Sequence, residues 1–283
     1  MSKTVKLGLL GNGISRTRAK VLHELLGEMY GLQVTYQVMD LGEHPTPVSI
    51  SDELKRCSGE GFRGVNVTHP YKQDAFKTVT LLDHFPTGLT SVNTVLFESE
   101  KMVADNTDYS GFYDAFVNQF GSNYSPGRVL MLGAGGVGVA IAFALKQLAL
   151  TELVIYDLEP GVAEKLVSQL CYHDIPAKVA GDDLVAEMLG ADGLINATPV
   201  GMFQYPGNPF PQEGFRSQNW AFDAVYTPVE TAFIRQCEDC GISTLSGFRL
   251  FLYQGLNAFE RFTGITPDAS TVESEFLKRY PLE

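Results

Sequence analysis

The stretch Val129-Leu-Met-Leu-Gly-Ala-Gly-Gly-Val-Gly138 decides how the second half of this chain folds. It opens with apolar residues of strand composition, and an alanine-rich segment of helical periodicity follows its glycines. Gly133, Gly135 and Gly138 have the spacing that gives a tight turn, close approach of a pyrophosphate and close packing of helix on strand. The free N–H groups of such a helix N-terminus attract phosphate. The stretch therefore predicts a dinucleotide-binding strand, turn and helix.

A second buried strand that ends in an acid supports this interpretation. Residues 152–156 are mostly apolar, and Asp157 lies 24 residues beyond Gly133. In dinucleotide domains a carboxylate about 20 residues after the first glycine binds the ribose 2′-hydroxyl of NAD. The same carboxylate would repel the 2′-phosphate of NADP. The sequence therefore predicts NAD as the cofactor.

Length and composition indicate an ordinary globular protein. The chain has 283 residues, of which 45% are hydrophobic and 19% charged, which is enough for two domains with cores of their own. The formal net charge of −12 argues against nucleic acid or an anionic membrane as a partner. An anionic substrate must then be held by local hydrogen-bond donors, because the overall field repels it.

No segment predicts export, a membrane span or a metal site. The N-terminus lacks the apolar core of a signal peptide, and no apolar run reaches the length of about 18 residues that a spanning helix needs. Cys237 and Cys240 form a C-x-x-C pair, but they fall in a predicted helix and have no second pair at zinc spacing. The histidines form no H-x-x-x-H or H-x-H pair. We expect reduced thiols, a cytoplasmic location and no metal.

Strand and helix patterns alternate through the first 106 residues, which predicts an α/β layer with a largely parallel sheet. The predicted strands are residues 5–10, 33–39 and 64–68, followed by a hairpin of residues 92–97 and 101–104 that Ser99 and Glu100 close. The predicted helices are residues 15–28, residues 49–56 with Ser51 as N-cap, and a third that Pro70 opens at its first position.

Two polar clusters follow predicted strands, where parallel sheets place functional groups. One runs from Asn66 to Lys72, and the other combines Asn93 with residues 105–111. Taken singly, Lys72 is typical of a solvated helix lysine and Asp108 of a helix N-cap. Oxidation of an alcohol, however, needs a group that takes the hydroxyl proton while hydride leaves for a nicotinamide, and these clusters contain the candidates.

Taken together, the motifs resemble those of the shikimate dehydrogenase family, in the same order and over nearly the whole chain. The matching motifs are Asn66-Val-Thr-x-Pro-x-Lys72, Val92-Asn-Thr94, Asn106-Thr-Asp108-x-x-Gly111, Gly133-Ala-Gly-Gly136, Asn196-Ala-Thr-Pro-x-Gly-Met202, Asp223-x-x-Tyr226-x-Pro228-x-x-Thr231 and Tyr253-Gln254-Gly255.

The resemblance implies two α/β domains with a cleft between them. A substrate domain of residues 1–106 would be completed by residues 248–283, and a doubly wound Rossmann domain would span residues 107–247. It also implies an acid–base dyad of Lys72 and Asp108 that acts on the substrate hydroxyl. Substrate-binding residues would be Ser15, Thr17, Thr68, Asn93, Tyr226 and Gln254. Cofactor-binding residues would be Gly133, Ala134, Gly135, Gly136, Val137, Asp157, Thr198, Pro199 and Gly247.

The chain departs from the family pattern at two places. The carboxylate motif, Ser-x-Ser-Pro followed shortly by His, here reads Ser15-Arg-Thr17-Arg18, with His23 arriving late, and Thr17 resembles members that also accept quinate. Asp157 stands where NADP-using members carry Asn-Arg-Thr. These departures favour an NAD-linked dehydrogenase of shikimate, quinate or an amino analogue. We expect a monomer or homodimer. Two alternatives stay open: a ligand sensor without turnover, and a dehydrogenase of a folate or an amino acid.

Overall fold

The computed structural model describes residues 4–43, 48–98, 101–216 and 218–282, which fall into two units. Unit 1 comprises Met1–Pro86, Thr90–Thr107 and Leu252–Pro281. Unit 2 comprises Thr87–Leu89, Asp108–Phe251 and Leu282–Glu283. Each unit is an α/β layer around its own sheet, as the alternation of strand and helix patterns predicts.

Regular structure follows the predicted alternation along the chain. The strands are β1 (Thr4–Gly11), β2 (Gln33–Asp40), β3 (Gly64–Val67), β4 (Thr80–Leu81), β5 (Thr94–Glu98), β6 (Lys101–Asp105), β7 (Arg128–Leu132), β8 (Glu152–Tyr156), β9 (Ala177–Val179), β10 (Gly193–Asn196), β11 (Trp220–Asp223) and β12 (Ser243–Ser246). The helices are α1 (Ala19–Met29), α2 (Ile50–Gly59), α3 (Lys72–Phe76), α4 (Thr107–Phe120), α5 (Gly136–Leu145), α6 (Pro160–Tyr172), α7 (Leu184–Leu189), α8 (Ala232–Asp239), α9 (Gly247–Thr263) and α10 (Ala269–Arg279).

The sheet of unit 1 has the order β2-β1-β3-β5-β6-β4. It is parallel along β2-β1-β3 and between β6 and β4, and antiparallel along β3-β5-β6. Side chains alternate across β1, so that Val5, Leu7 and Leu9 pack with Ala258 and Phe262 of α9. A second cluster joins the sheet to Leu54 and other buried residues of α2. The sheet is therefore covered on both faces.

The sheet of unit 2 has the order β12-β11-β10-β7-β8-β9, and all its neighbouring strands are parallel. The chain passes from β7 to β8 on one side and returns to β10 on the other. This reversal at β7 is a topological switch point, where open α/β sheets bind ligands beyond the carboxyl ends of the strands. The glycine loop of residues 133–138 begins at that end of β7, directly after Leu132.

Two predicted helix starts are wrong. The helix expected over residues 15–28 begins at Ala19, because the N–H of Thr17 first closes a turn on Ile14 O (3.0 Å). The N-cap of α2 is Ser49 instead of Ser51. Ser49 has extended backbone and its Oγ accepts from the N–H three residues on (3.4 Å), whereas Ser51 is already helical.

Pro70 does not open a helix, contrary to the prediction. Tyr71 N–H donates to Thr68 O (2.9 Å) in a turn that contains Pro70, so that α3 begins at Lys72. The hairpin of β5 and β6 is formed, but its expected closing residues, Ser99 and Glu100, lie outside the described residues. Within the described ranges no helix is long and apolar enough to cross a membrane.

Candidate active site

Asn93 of unit 1 has a side-chain amide whose orientation is set by its neighbours. Its Oδ1 accepts hydrogen bonds from Thr107 N (2.7 Å), Thr107 Oγ1 (3.1 Å) and Thr94 Oγ1 (3.0 Å). These contacts occupy the acceptor capacity of the oxygen, and only an oxygen can accept from the N–H of Thr107. Asn93 Nδ2 makes no hydrogen bond to any residue of the described ranges. The amide therefore has donors available to a ligand, although the residue is only 3% exposed.

The same amide oxygen caps helix α4. Thr107 is the first residue of α4, and its N–H is one of the donors that a helix start leaves without an intrahelical acceptor. Asp108 follows directly in the chain and is the first residue of that helix to belong to unit 2. It is buried, at 7% exposed. A buried carboxylate in the first turn is stabilised by the helix dipole.

The backbone of unit 1 places Lys72 next to the strand end that carries Asn93. Lys72 O accepts from Val92 N (3.1 Å), and Asn93 O accepts from Val67 N (2.8 Å). Lys72 is half-buried at the start of α3, and Thr68 is half-buried at the end of β3. Unit 1 thus brings Thr68, Lys72 and Asn93 together where β3 ends and β5 begins.

A buried polar network that the sequence did not predict supports these strand ends. Asn66 Nδ2 donates to Thr94 Oγ1 (3.1 Å) and Asn93 O (3.3 Å), and Asn66 Oδ1 accepts from Tyr36 Oη (2.9 Å). His23 stacks on Tyr36 with ring centroids 4.8 Å apart. Burial lowers the pKa of His23 to about 3, and nearby Asn66 opposes this shift. The imidazole is therefore neutral, and its Nδ1 has no partner among the described residues. The late position of His23 in the sequence gave no sign of this role.

The loop before α1 carries the predicted carboxylate donors. Ser15 is exposed and Thr17 half-buried, and Thr17 Oγ1 accepts from Ala19 N (3.2 Å), which leaves its O–H able to donate. Asp40 holds the loop by accepting from Ile14 N (2.9 Å) and from the preceding N–H (3.0 Å).

Arg18 replaces the proline of the family pattern and has a structural role. Its guanidinium donates to Tyr280 O and Pro281 O, both at 3.1 Å, and so binds the end of the segment that follows α10. Gln254 lies half-buried on the part of α9 that belongs to unit 1. Tyr226 belongs to unit 2, where its ring stacks on Phe251 at 5.2 Å.

The glycine loop of unit 2 shows why each of its glycines is needed. Gly133 has φ +96°, and a Cβ there would lie 2.7 Å from Ala197 C and O. At Gly138 a Cβ would lie 2.5 Å from Gly133 O. Gly135 is the N-cap of α5 and has nothing within 4 Å of a Cβ position. The space over Gly135 and the exposed Gly136 thus fits a pyrophosphate on a helix N-terminus.

Asp157 lies at the end of β8, beside this loop. Its Oδ2 accepts from Ala134 N (2.8 Å), and its Oδ1 accepts from Glu159 N (3.0 Å). The side chain is half-buried, so it can still meet a ligand. The carboxylate therefore stabilises the glycine loop, a role that the sequence did not indicate.

A second buried network lies at the ends of β10 and β11. Asn196 Oδ1 accepts from Thr198 Oγ1 (2.6 Å) and Thr198 N (3.0 Å), and Asn196 Nδ2 donates to Asp223 Oδ1 (2.8 Å). Burial raises the pKa of Asp223 to about 6, against hydrogen bonds from Thr231, Val225 and Asn196 that lower it. Asn196, Asp223 and Thr231 belong to the matching sequence motifs, but the sequence assigned a role only to Thr198 and to Pro199, which is exposed beside it.

Gly247, also expected at the cofactor, has a packing role at the start of α9. A Cβ there would lie 2.6 Å from Ala224 O and 2.7 Å from Asp223 O, so only glycine lets the helix start so close to the end of β11. Val137 is half-buried in the first turn of α5. Within the described ranges no group of three His, Cys, Asp or Glu side chains could hold a metal ion.

Comparison with known sequences identifies relatives of the whole chain. Residues 9–95, which include Thr68, Lys72 and Asn93, match the family described as the shikimate dehydrogenase substrate binding domain. The quinate/shikimate dehydrogenase (NAD(+)) of Corynebacterium efficiens is 32% identical over 97% of this chain and 98% of its own length. The shikimate dehydrogenase (NADP(+)) of Streptomyces avermitilis is 35% identical over 93% of this chain and 91% of its own length.

Solved structures of similar fold belong to the same group of enzymes as these sequence relatives. Quinate dehydrogenase from Corynebacterium glutamicum in complex with NAD superposes with a TM-score of 0.91 at 32% identity, over 98% of this chain and 100% of the other. Shikimate 5-dehydrogenase from Thermus thermophilus, in complex with NADP(H) and shikimate, gives 0.84 at 31% identity, over 97% and 99%. Since about a third of its residues are identical to these relatives over nearly its whole length, the chain belongs to the quinate/shikimate dehydrogenase family.

Proposed function

We propose that this protein is an NAD-linked oxidoreductase that oxidises one ring hydroxyl of quinate or shikimate to a ketone, and that catalyses the reverse reduction. In oxidation, the hydrogen on the carbinol carbon leaves with its electron pair for the cofactor, and the hydroxyl proton passes to a protein base. The NAD(+)-named relative of Corynebacterium efficiens and the NAD complex of the Corynebacterium glutamicum enzyme support both the substrate class and the cofactor.

The observation that carries the proposal is the oriented amide of Asn93. A buried amide whose oxygen is occupied by Thr94 and Thr107 can only donate to an incoming group, which suits the oxygen of a hydroxyl. Sites built to hydrogen-bond a hydroxyl discriminate strongly for it, because their buried polar groups stay unpaired with any other ligand. Val92, which directly precedes Asn93, donates its N–H to Lys72 O. We assign Lys72 as the proton acceptor, with Asp108 as its partner.

The remaining assignments follow the two units. In unit 1, Thr68 and Gln254 hold ring hydroxyls, while Ser15 and Thr17 donate to the substrate carboxylate. Uncharged donors suit that task in a chain with a net charge of −12, because they bind the anion by hydrogen bonds. In unit 2 we assign Tyr226 to the substrate.

For the cofactor, we propose that the N–H groups at the start of α5 hold the pyrophosphate and that Asp157 accepts from the adenosine ribose diol. The residue 196–202 loop, with Thr198 and Pro199, would border the nicotinamide. When bound, NAD supplies the acceptor for the hydride. The fit rests on the empty volume over Gly135 and on the half-exposed carboxylate of Asp157 beside it.

Steady-state kinetics test the function and the cofactor choice together. We expect turnover of quinate or shikimate, with NAD preferred over NADP at least about tenfold in kcat/KM, or ~1.4 kcal/mol of differential transition-state binding. Asp157→Asn should narrow the preference, because an amide oxygen can still accept from Ala134 N while the repulsive charge is gone. Asp157→Ala should weaken both cofactors, since it also loses that loop contact. Equal use of NADP by the unmodified protein would refute the assignment of Asp157, and no turnover of either acid would refute the function.

The carboxylate donors have a test of their own. Thr17→Val should raise KM for the acid with little change in kcat, because the carboxylate is bound alike in the ground and transition states. A lost charge-assisted hydrogen bond costs roughly 1.5–3 kcal/mol, or about ten- to a hundredfold in KM. Ser15→Ala should act in the same direction, and Thr17→Ser, which keeps the hydroxyl, is the matched control. If neither substitution changes KM, the carboxylate binds elsewhere, and Arg16 is the next candidate because the Arg18 guanidinium binds carbonyl groups.

A further inference from the structure

One buried carboxylate of unit 2 joins three segments that have no other common partner in the described hydrogen bonds. Asp223 Oδ1 accepts from Asn196 Nδ2 (2.8 Å) and from Val225 N (3.0 Å), and Asp223 Oδ2 accepts from Thr231 Oγ1 (2.5 Å). The first donor is the last residue of β10 and leads into the residue 196–200 turn, the second lies in the segment after β11, and the third is the N-cap of α8. Asp223 and Asn196 are both fully buried.

The turn after β10 depends on this carboxylate through Asn196. Asn196 Oδ1 accepts both the N–H and the hydroxyl of Thr198, and Asn196 Nδ2 also donates to Val200 O (2.9 Å). The two strand ends are directly paired, with Asn196 opposite Asp223 in parallel register. The Asn196 amide, and with it Thr198, is therefore held by contacts within the turn and by Asp223. Of these partners, Asp223 is the one that lies outside the turn.

The other two contacts act on the same end of the sheet. Val225 directly precedes Tyr226, which we assign to the substrate. Thr231 Oγ1 accepts from Ile234 N (3.1 Å) as the N-cap of α8, so the Thr231 hydroxyl both caps a helix and donates to Asp223. A carboxylate accepts all these donors, whereas an amide in its place would offer one accepting oxygen and would face the Thr231 hydroxyl with a second donor.

We propose that Asp223 is a positioning residue for the nicotinamide half of the cofactor: by accepting from Asn196, Val225 and Thr231 it holds the residue 196–200 turn in the shape that binds the nicotinamide. The proposal rests on the proposed function, because it takes NAD as the ligand and the 196–202 loop as the border of the nicotinamide. It adds a residue that touches neither cofactor nor substrate and that acts through Asn196 and Thr198.

This position predicts a selective loss of affinity. We assign the glycine loop to the pyrophosphate and Asp157 to the adenosine ribose. Among the described residues, neither makes a hydrogen bond to Asp223. Asp223→Asn should therefore raise the dissociation constant of NAD about fivefold and change that of ADP-ribose, which lacks the nicotinamide, less than about twofold. A change that only destabilised the unit would weaken both ligands alike.

The experiment is calorimetric titration of the full-length protein with NAD and with ADP-ribose at pH 8, together with thermal unfolding of the ligand-free protein. The quantity compared is the ratio of the dissociation constant of NAD to that of ADP-ribose, which Asp223→Asn should raise. Thr231→Val, which removes the hydroxyl donor, should also raise this ratio, and Thr231→Ser, which keeps the hydroxyl, should leave it at the parental value. Asp183→Asn is the matched control, since Asp183 is an exposed acidic N-cap of α7 in the same unit. It should leave the ratio unchanged. If Asp223→Asn does not fold, the Thr231 pair decides.

The outcomes separate the two claims. A raised ratio in Asp223→Asn and Thr231→Val, with the parental ratio in Thr231→Ser and Asp183→Asn, supports the positioning role. An unchanged ratio in the variants of a parent that binds both ligands overturns the inference and leaves the proposed function intact. A parent protein that binds NAD but oxidises neither quinate nor shikimate overturns the proposed function, and the ratio still tests Asp223. A parent that binds neither ligand overturns both.

Discussion

Replacing Lys72 by methionine is expected to lower kcat by roughly 10²–10⁴-fold, which is the usual contribution of a positioned acid–base group. Methionine has a similar length but cannot take the proton of the substrate hydroxyl. KM should change much less, because the protein groups assigned to the ring hydroxyls and the carboxylate of the substrate are all still present. The measurement is steady-state oxidation of quinate or shikimate with saturating NAD. Lys77→Met, at the other end of α3, is the matched control and should leave kcat unchanged, since Lys77 is an exposed partner of Asp74.

The partner assigned to Lys72 can be tested in the same assay. Asp108→Asn keeps the shape of the side chain but removes its charge, so its loss should also appear chiefly in kcat. If Lys72 and Asp108 act on one hydroxyl, the double variant should be little worse than the poorer single variant. Fully additive losses would show that the two residues act independently, and the dyad would have to be abandoned.

Alanine substitutions at two positions of the glycine loop, Gly133 and Gly135, should have different effects, one on stability and the other on cofactor binding. Gly133→Ala forces a side chain into left-handed backbone and against Ala197, which should cost roughly 2–5 kcal/mol. The melting temperature should then fall by roughly 5–15 °C. Gly135→Ala meets no atom within 4 Å and has φ −76°, so the protein should fold with its normal melting temperature.

The same Gly135→Ala protein should nevertheless bind NAD poorly. Its methyl group would occupy the space that we assign to the pyrophosphate, and we expect a dissociation constant about ten- to a hundredfold higher. Gly161→Ala, in α6 of the same unit, also meets nothing within 4 Å, and it should leave NAD binding unchanged and not lower the melting temperature. Normal NAD binding by the Gly135 variant would show that the pyrophosphate does not lie over this turn, and that the cofactor site is misplaced.

The order of strands and helices, the glycine loop and the family could all be predicted from the sequence. The reason is that each depends on local signals. Apolar periodicity selects strand or helix, and the left-handed backbone at Gly133 accepts glycine because the residue lacks a Cβ. The same local signals misplaced the N-cap of α2, since Ser49 and Ser51 offer equivalent caps in sequence, and the start of α1, where a turn closed by Thr17 delays the helix.

The tertiary structure alone decided how the polar side chains of the site are oriented. Sequence motifs indicated Asn93, but which end of its amide is left to donate depends on Thr107, which is 14 residues away. Asn196 and Asp223 are 27 residues apart and meet because parallel strands β10 and β11 end side by side. Arg18, which replaces a proline of the family pattern, is bound to carbonyls 262 and 263 residues further along the chain. Such partners are brought together by packing, and their pairing leaves no periodic or local pattern in the sequence.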